Sequence, residues 1–117
     1  MQGKRLDRVN QLLKEEISTL LQRELKDPRL GFVTVTQVDT AKDLSRAKVF
    51  VSVLGDDGQW AASLTALGSA RGFIRNWLRH HLELRVTPEL HFRPDHSMEH
   101  AARIQALLRD LDAGSGS

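Results

Sequence analysis

The chain has 117 residues, of which 40% are hydrophobic and 27% charged, with a formal net charge of +2 and no cysteine. That length and balance suit one domain with a packed core, and exclude a disordered chain, a disulfide framework, a thiolate nucleophile and a cysteine-based zinc site. The charge is unevenly spread: Arg71, Arg75, Arg79, Arg85 and Arg93 face only Glu83 and Glu89 between residues 71 and 93, whereas acids outnumber bases from Asp95 onward. Such a basic middle suits a polyanion partner, although a solvated helix face gives the same count.

From Lys4 to Leu25 the apolar residues Leu6, Val9, Leu13, Ile17, Leu20, Leu21 and Leu25 recur at steps of three and four, so the spacing predicts a long amphipathic helix. The segment Asp27-Pro28-Arg29-Leu30-Gly31 stops it, because proline disfavours helical geometry at the residue before it. Phe32–Val38 and Ala47–Leu54 are rich in β-branched residues and flank a polar turn, which predicts an antiparallel hairpin. In the second strand Ala47, Val49, Val51 and Val53 share the core face, leaving Arg46, Lys48, Phe50 and Ser52 on the other. That second face is open, covered by a helix, or a binding surface. Phe50 there either stacks on a base or packs under another element.

Gly55-Asp56-Asp57-Gly58 reads as a turn and helix start. Trp60, Leu64 and Leu67 then predict a second helix ending near Ala70, and Phe73, Ile74, Trp77, Leu78 and Leu82 a third, with Arg71, Arg75 and Arg79 stepping by four along its cationic side. Both tryptophans are expected in the core. Glu89–Arg93 alternates like a short strand ending at Pro94, and Ser97–Leu111 predicts a last helix built on Met98, Ala101, Ala102, Ile104, Ala106, Leu107, Leu108 and Leu111. The expected architecture is α+β, with helices against one face of a three-stranded mixed sheet.

No apolar stretch reaches the roughly 18 residues of a membrane span, and no apolar run follows the charged start that a secretory signal would need. A cytoplasmic location and no membrane partner are therefore expected. His96 and His100, one helical turn apart beside Asp95, and the pair His80-His81 are the only hints of metal or nucleophilic chemistry. Neither has the further partners that a zinc site or a triad requires, so no catalytic residue, metal or cofactor is expected.

The order helix, strand, strand, helix, helix, strand, with a C-terminal helix, resembles a type II KH domain, whose GXXG loop between two helices clamps single-stranded RNA. Here Gly68-Ser69-Ala70-Arg71-Gly72 stands at that place, and Ala70-Arg71-Gly72 resembles the Ala-x-Gly interhelical kink of the ribosome-binding factor A family. Gln22–Gly31, Ala47–Val51 and Leu84–Phe92 resemble the same family, the Lys26-Asp27-Pro28-Arg29-Leu30-Gly31 run being the most specific, so that the likeness spans about residues 4–111. The resemblance implies a non-enzymatic factor, associated with cold adaptation, that binds the immature 30S subunit and its 16S ribosomal RNA near the 5′ region and neck. Late maturation and 16S processing would be its purpose. The alternative is a generic KH-like module for single-stranded RNA.

Residues 1–112 are then a single KH-like RNA-binding domain and 113–117 a flexible Gly/Ser tail. The residues expected to contact RNA are Lys26, Arg29, Arg46, Lys48, Arg71, Arg75 and Arg79, with Ala70, Arg71 and Gly72 forming a kink that would turn backbone N–H groups toward an anion. A monomer is expected, because no long exposed apolar stripe asks for a dimer. Many relatives continue beyond the last helix, and roles carried by such extensions are not expected of this chain.

Overall fold

A computed structural model describes the backbone of residues 2–115 and the side chains of residues 3–113. The elements in chain order are α1 (Gln2–Arg23), β1 (Val33–Thr40), β2 (Arg46–Val53), α2 (Asp57–His81), β3 (Glu89–Pro94) and α3 (Ser97–Ser115). The sheet order is β1-β2-β3, with β1 antiparallel and β3 parallel to β2, so the sheet is mixed as expected. The crossover that a parallel pair requires is supplied by α2.

The core lies between the sheet and the two helices α1 and α2. Leu13, Ile17, Leu20 and Leu21 of α1 meet Val35, Val38, Ala47, Val49, Val51 and Leu90 of the sheet and Leu67, Ile74 and Leu78 of α2. In β2 the alternation is strict, with Ala47, Val49, Val51 and Val53 buried and the intervening side chains turned outward. β1 breaks its alternation at a bulge between Val35 and Gln37, which moves the inward set from Val33 and Val35 to Val38 and Thr40. The extra residue, Thr36, donates its hydroxyl to Asp95 Oδ2 at 2.6 Å.

Two expectations are corrected. The helices predicted on either side of Ala70-Arg71-Gly72 are one continuous helix, α2. Asp56 starts it with a capping box: its side chain accepts from the backbone N–H of Gln59, whose side chain accepts from the N–H of Asp56. Gly68 and Gly72 cost helix stability, about 1 kcal/mol each, but burial of Trp60, Ala66, Leu67, Ile74 and Leu78 on the same helix outweighs that. Phe73, assigned to the apolar side, is instead 52% exposed.

The second correction concerns α3, which does not join the helices covering the sheet. Every described residue from His100 onward is exposed. The expected Gly/Ser tail falls partly within α3, which is assigned to Ser115, while Gly116 and Ser117 lie outside the described residues. Trp60 is buried as expected, and Trp77 is half-buried with its ring stacked 3.8 Å from that of His81.

Candidate nucleic-acid interface

The predicted contact residues do not share one surface. Along α2, Arg71 and Arg79 are exposed, but Arg75 is half-buried and committed to the protein itself. Its Nε and Nη2 both donate to the Thr87 carbonyl, at 3.2 and 3.0 Å. It pins the extended connection that leads through buried Pro88 into β3. The row of three arginines is therefore interrupted at its centre.

The loop after α1 is partly self-neutralised. Arg29 donates through Nη2 to Asp27 Oδ2 at 2.7 Å and through Nε to Oδ1 at 3.1 Å, and its backbone N–H also reaches Oδ1. The side-chain hydrogen bond from Arg29 is the main reason that the Asp27 carboxyl is held below its ordinary pKa. Lys26 remains exposed beside this pair.

The backbone N–H groups expected near Ala70-Arg71-Gly72 are not available to an anion. They lie inside a continuous helix, where each N–H is directed at a carbonyl four residues earlier. The clamp of a GXXG loop depends on a break that this helix lacks.

Arg46 and Lys48 do sit where the strand alternation placed them, on the outer face of the sheet away from α1 and α2. The parallel register sets Lys48 beside His91 and Phe50 beside Arg93, while the antiparallel register sets Asp39 against Lys48. Asp39, Arg46, Lys48, His91 and Arg93 thus line one groove of about 420 Å³. His91 Nε2 in this groove is buried and has no hydrogen-bond partner. Its nearest acid, Glu89 Oε1, stands 3.8 Å away, beyond hydrogen-bond reach and effective only on a protonated ring. Phe50 is half-buried on the same face.

A second groove of about 360 Å³ lies at the turn that joins β1 to β2, lined by Arg5, Lys42, Asp43, Leu44, Arg85 and others. Three elements meet there for local reasons. The turn is closed by the Ala41 N–H donating to the Arg46 carbonyl at 2.8 Å and by Leu44, whose φ of 63° is the left-handed region. Asp43 accepts from the Ser45 hydroxyl at 2.6 Å and from its N–H at 3.0 Å, bonds that hold its carboxyl below the ordinary range. The Glu89 N–H donates to the Ser45 carbonyl at 3.0 Å, which draws the Arg85–Thr87 segment against the turn, and α1 brings Arg5 from its first turns.

Since the first groove includes Ala41 and the second Lys42, the two adjoin across the turn and form one basic band: Arg5, Lys42, Arg85, Arg46, Lys48 and Arg93. Of these, Arg46 and Lys48 were expected from the sequence to contact RNA, and Arg85 and Arg93 stood out only as members of the basic middle stretch. Arg93 and His91 were legible from the alternation of β3 once its parallel register was known. Arg5, Lys42 and Arg85 belong to three separate elements, and no spacing rule links them.

Of the residues that hinted at metal or nucleophilic chemistry, Asp95, His96, His80 and His81 have structural partners. The Asp95 carboxylate accepts from the Thr36 hydroxyl and from the Ser97 N–H at the start of α3. His96 Nδ1 lies 3.2 Å from Glu99 Oε2, and Trp60 Nε1 donates to Glu99 Oε1 at 2.9 Å. Among the described residues no group of three or more His, Asp or Glu side chains converges as a metal site.

The architecture defines a small α+β protein that offers a basic surface rather than a deep pocket. Comparison with known proteins makes the class specific: residues 5–108 match the family described as ribosome-binding factor A. The chain is 49% identical over 111 residues to ribosome-binding factor A of Thermomicrobium roseum, covering 95% of this chain and 86% of that one. Its fold is similar to the crystal structure of ribosome-binding factor A from Thermus thermophilus, with a TM-score of 0.68 and 29% identity over 76% of this chain and 94% of that one. It is also similar to T. thermophilus ribosome-binding factor A as fitted into a cryo-EM map of its complex with 30S, with a TM-score of 0.61 and 31% identity over 74% and 91% of the two chains. This chain belongs to the ribosome-binding factor A family.

Proposed function

We propose that this protein binds the free or immature 30S ribosomal subunit through its 16S RNA and assists late maturation and 16S processing, without a catalytic step of its own. The observation that carries the reading is the basic band across the β1–β2 turn and the outer sheet face. Six cations there line two adjoining shallow grooves. Such a surface suits phosphates spread along a backbone, where each neutralised phosphate releases counterions. The T. thermophilus relative's fit into a 30S complex supports the choice of partner.

Within this reading Arg46, Lys48 and Arg93 supply the phosphate contacts of the sheet face, and Arg5, Lys42 and Arg85 those at the turn. Phe50 and the orphan His91 ring offer apolar and hydrogen-bonding contact to a base laid across β2 and β3. Lys26, Arg71 and Arg79 are secondary cations outside the band. Arg29 and Arg75 act on the protein's own loops. Asp95, His96 and Glu99, the acids and imidazole nearest to an enzymatic arrangement, serve to attach α3. The expected compartment is the cytoplasm, where ribosomes are assembled, and no helix among the described residues is long and apolar enough to cross a membrane.

The test is co-sedimentation with purified 30S, 50S and 70S particles over a range of salt. Salt-sensitive pelleting with 30S alone is the expected result. Equal binding to all three would reduce the protein to a generic RNA-binding module, and binding to none would overturn the reading.

A further inference from the structure

The registers of the sheet arrange the side chains of its outer face in rows. Asp39 of β1 stands opposite Lys48 of β2, and Lys48 beside His91 of β3. Arg46 and Glu89 belong to the next row on one side, Phe50 and Arg93 to the next on the other. Neighbouring strands lie about 4.8 Å apart, so the row Asp39–Lys48–His91 is about 10 Å wide, room for one base edge met by hydrogen bonds from both ends. Two of its members are left over when the groove is read as a phosphate surface. A carboxylate repels phosphate, yet Asp39 is in the groove, and among the described residues it forms no ion pair or side-chain hydrogen bond. His91 Nε2 is buried without a partner, an omission that a ligand repairs. The His91 side chain as a whole is 24% exposed. Lys48, Glu89 and Arg93 around it are long and exposed, so rotamer changes among them open the atom without a shift of backbone.

The order of chemistry along the row indicates what fits it. It runs from a carboxylate that only accepts, through an ammonium that only donates, to a ring nitrogen that donates in one neutral tautomer. Guanine presents the complement in the same order: the N2 and N1 donors, then the O6 and N7 acceptors. A carboxylate takes both of those N–H groups at once. Cytosine offers it only the N4 amino group. Adenine sets its N6 amino donor against the ammonium and its N1 acceptor against the carboxylate. Uracil sets its N3–H donor against the ammonium.

We propose that Asp39, Lys48 and His91 form a guanine-selective site that takes one unpaired guanosine of the bound RNA. The proposal rests on the reading above, in which the basic band holds RNA, and adds that the band discriminates among bases. Asp39 accepts from N1–H and N2–H, Lys48 donates to O6, and His91 Nε2–H donates to N7. Arg46 and Arg93, in the rows on either side, take the flanking phosphates. A free guanine nucleotide has the same base, but only a strand carries phosphates far enough to reach the cations of both grooves.

Fluorescence anisotropy of the full chain with a labelled octauridylate carrying one variable central base tests it. The guanosine probe should bind about tenfold more tightly than the adenosine or uridine probe, with cytidine between them. Asp39→Ala should bring the guanosine probe down to the uridine level. Replacing the guanosine by 7-deazaguanosine, which lacks the N7 acceptor, should cost the wild type about fivefold and His91→Ala nothing. Circular dichroism checks that each variant is folded. A wild type without base preference, a preference that survives Asp39→Ala, or a 7-deaza loss equal in His91→Ala and wild type would each overturn the proposal. Guanosine monophosphate should compete only weakly; if it binds as tightly as the oligomer, the ligand is a free nucleotide and the assignment to a strand falls. Absence of preference beside salt-sensitive pelleting with 30S strikes the guanine site and leaves the proposed function standing. Preference without 30S pelleting does the reverse.

Discussion

Removing three of the six cations of the basic band should change how binding depends on salt. Arg46, Lys48 and Arg93 line the groove on the outer sheet face. Each cation that neutralises one phosphate contributes about −0.7 to the slope of log affinity against log salt on single-stranded RNA. If all six engage, the slope is about −4, and a fourfold rise in salt costs about 300-fold in affinity. Arg46→Ala, Lys48→Ala and Arg93→Ala combined should bring the slope to about −2 and the loss to about 20-fold. The three side chains are solvent-exposed, so the variant should fold normally. The measurement is pelleting with 30S at four or more salt concentrations. The paired comparison is Arg71→Ala with Arg79→Ala, two exposed cations of α2 outside the band, which should leave the slope nearly unchanged. A reversal, with the α2 pair flattening the slope and the sheet triple leaving it alone, would place the RNA on α2 and refute the assignment of the groove.

Three further outcomes follow from other parts of the molecule. Arg75→Ala removes two charge-assisted hydrogen bonds to the half-buried Thr87 and should lower stability by about 1–3 kcal/mol in urea titration, while leaving the salt slope intact. Gly72→Ala should raise stability by about 0.5–1 kcal/mol, because a Cβ there meets nothing within 4 Å and the helix is continuous; a loss of stability would show that the site needs a backbone geometry only glycine adopts. Asp95 is held below its ordinary pKa by hydrogen bonds from Ser97 first and Thr36 second. A depressed carboxylate stabilises the fold fully above its unfolded pKa of about 3.9 and loses that contribution as the pH falls through the folded value. Asp95→Asn should therefore be less stable than wild type at neutral pH, with the difference shrinking below about pH 4; a pH-independent difference would sink this account.

The sheet and α1 were legible in the sequence because their periodicities are strong and each is satisfied by one packed face. Leu13, Ile17 and Leu20 are fully buried as their spacing requires, and Ala47, Val49 and Val51 likewise. Even the bulge leaves a trace, since the inward valines run 33, 35 and then 38, a change of parity that only an extra residue explains. The continuity of α2 was not legible. Two glycines four residues apart read as an interruption by local propensity, and it takes the buried residues on both sides, Leu67 before them and Ile74 after, to keep one helix in place. α3 fails in the opposite way. Its pattern of Ile104, Leu107, Leu108 and Leu111 looks like that of any core helix, and periodicity states that a face wants covering without stating what covers it. The grouping of the other half of the basic band escaped for a third reason: Arg5, Lys42 and Arg85, the last of them visible only as part of the basic middle stretch, are joined by the tertiary contact between the β1–β2 turn and the segment before β3.

The commitment of Arg75 bears on how the band is assembled. Its guanidinium grips Thr87, two residues from Arg85, and the next hydrogen bond along the chain ties Glu89 to Ser45 in the hairpin turn. The connection from α2 is thus fastened twice at its β3 end, and Arg85 is held beside Lys42 by contacts that neither of them makes. An arginine that neutralises a phosphate and one that positions another arginine leave different marks on binding. Loss of the first flattens the salt dependence, because one fewer counterion is released. Loss of the second lowers affinity by a similar factor at every salt concentration, because the same charges remain but must be ordered on binding. Arg85→Ala belongs to the first kind and Arg75→Ala to the second, so the two variants, ten residues apart in a stretch that reads as one basic run, separate in slope even where they agree in affinity.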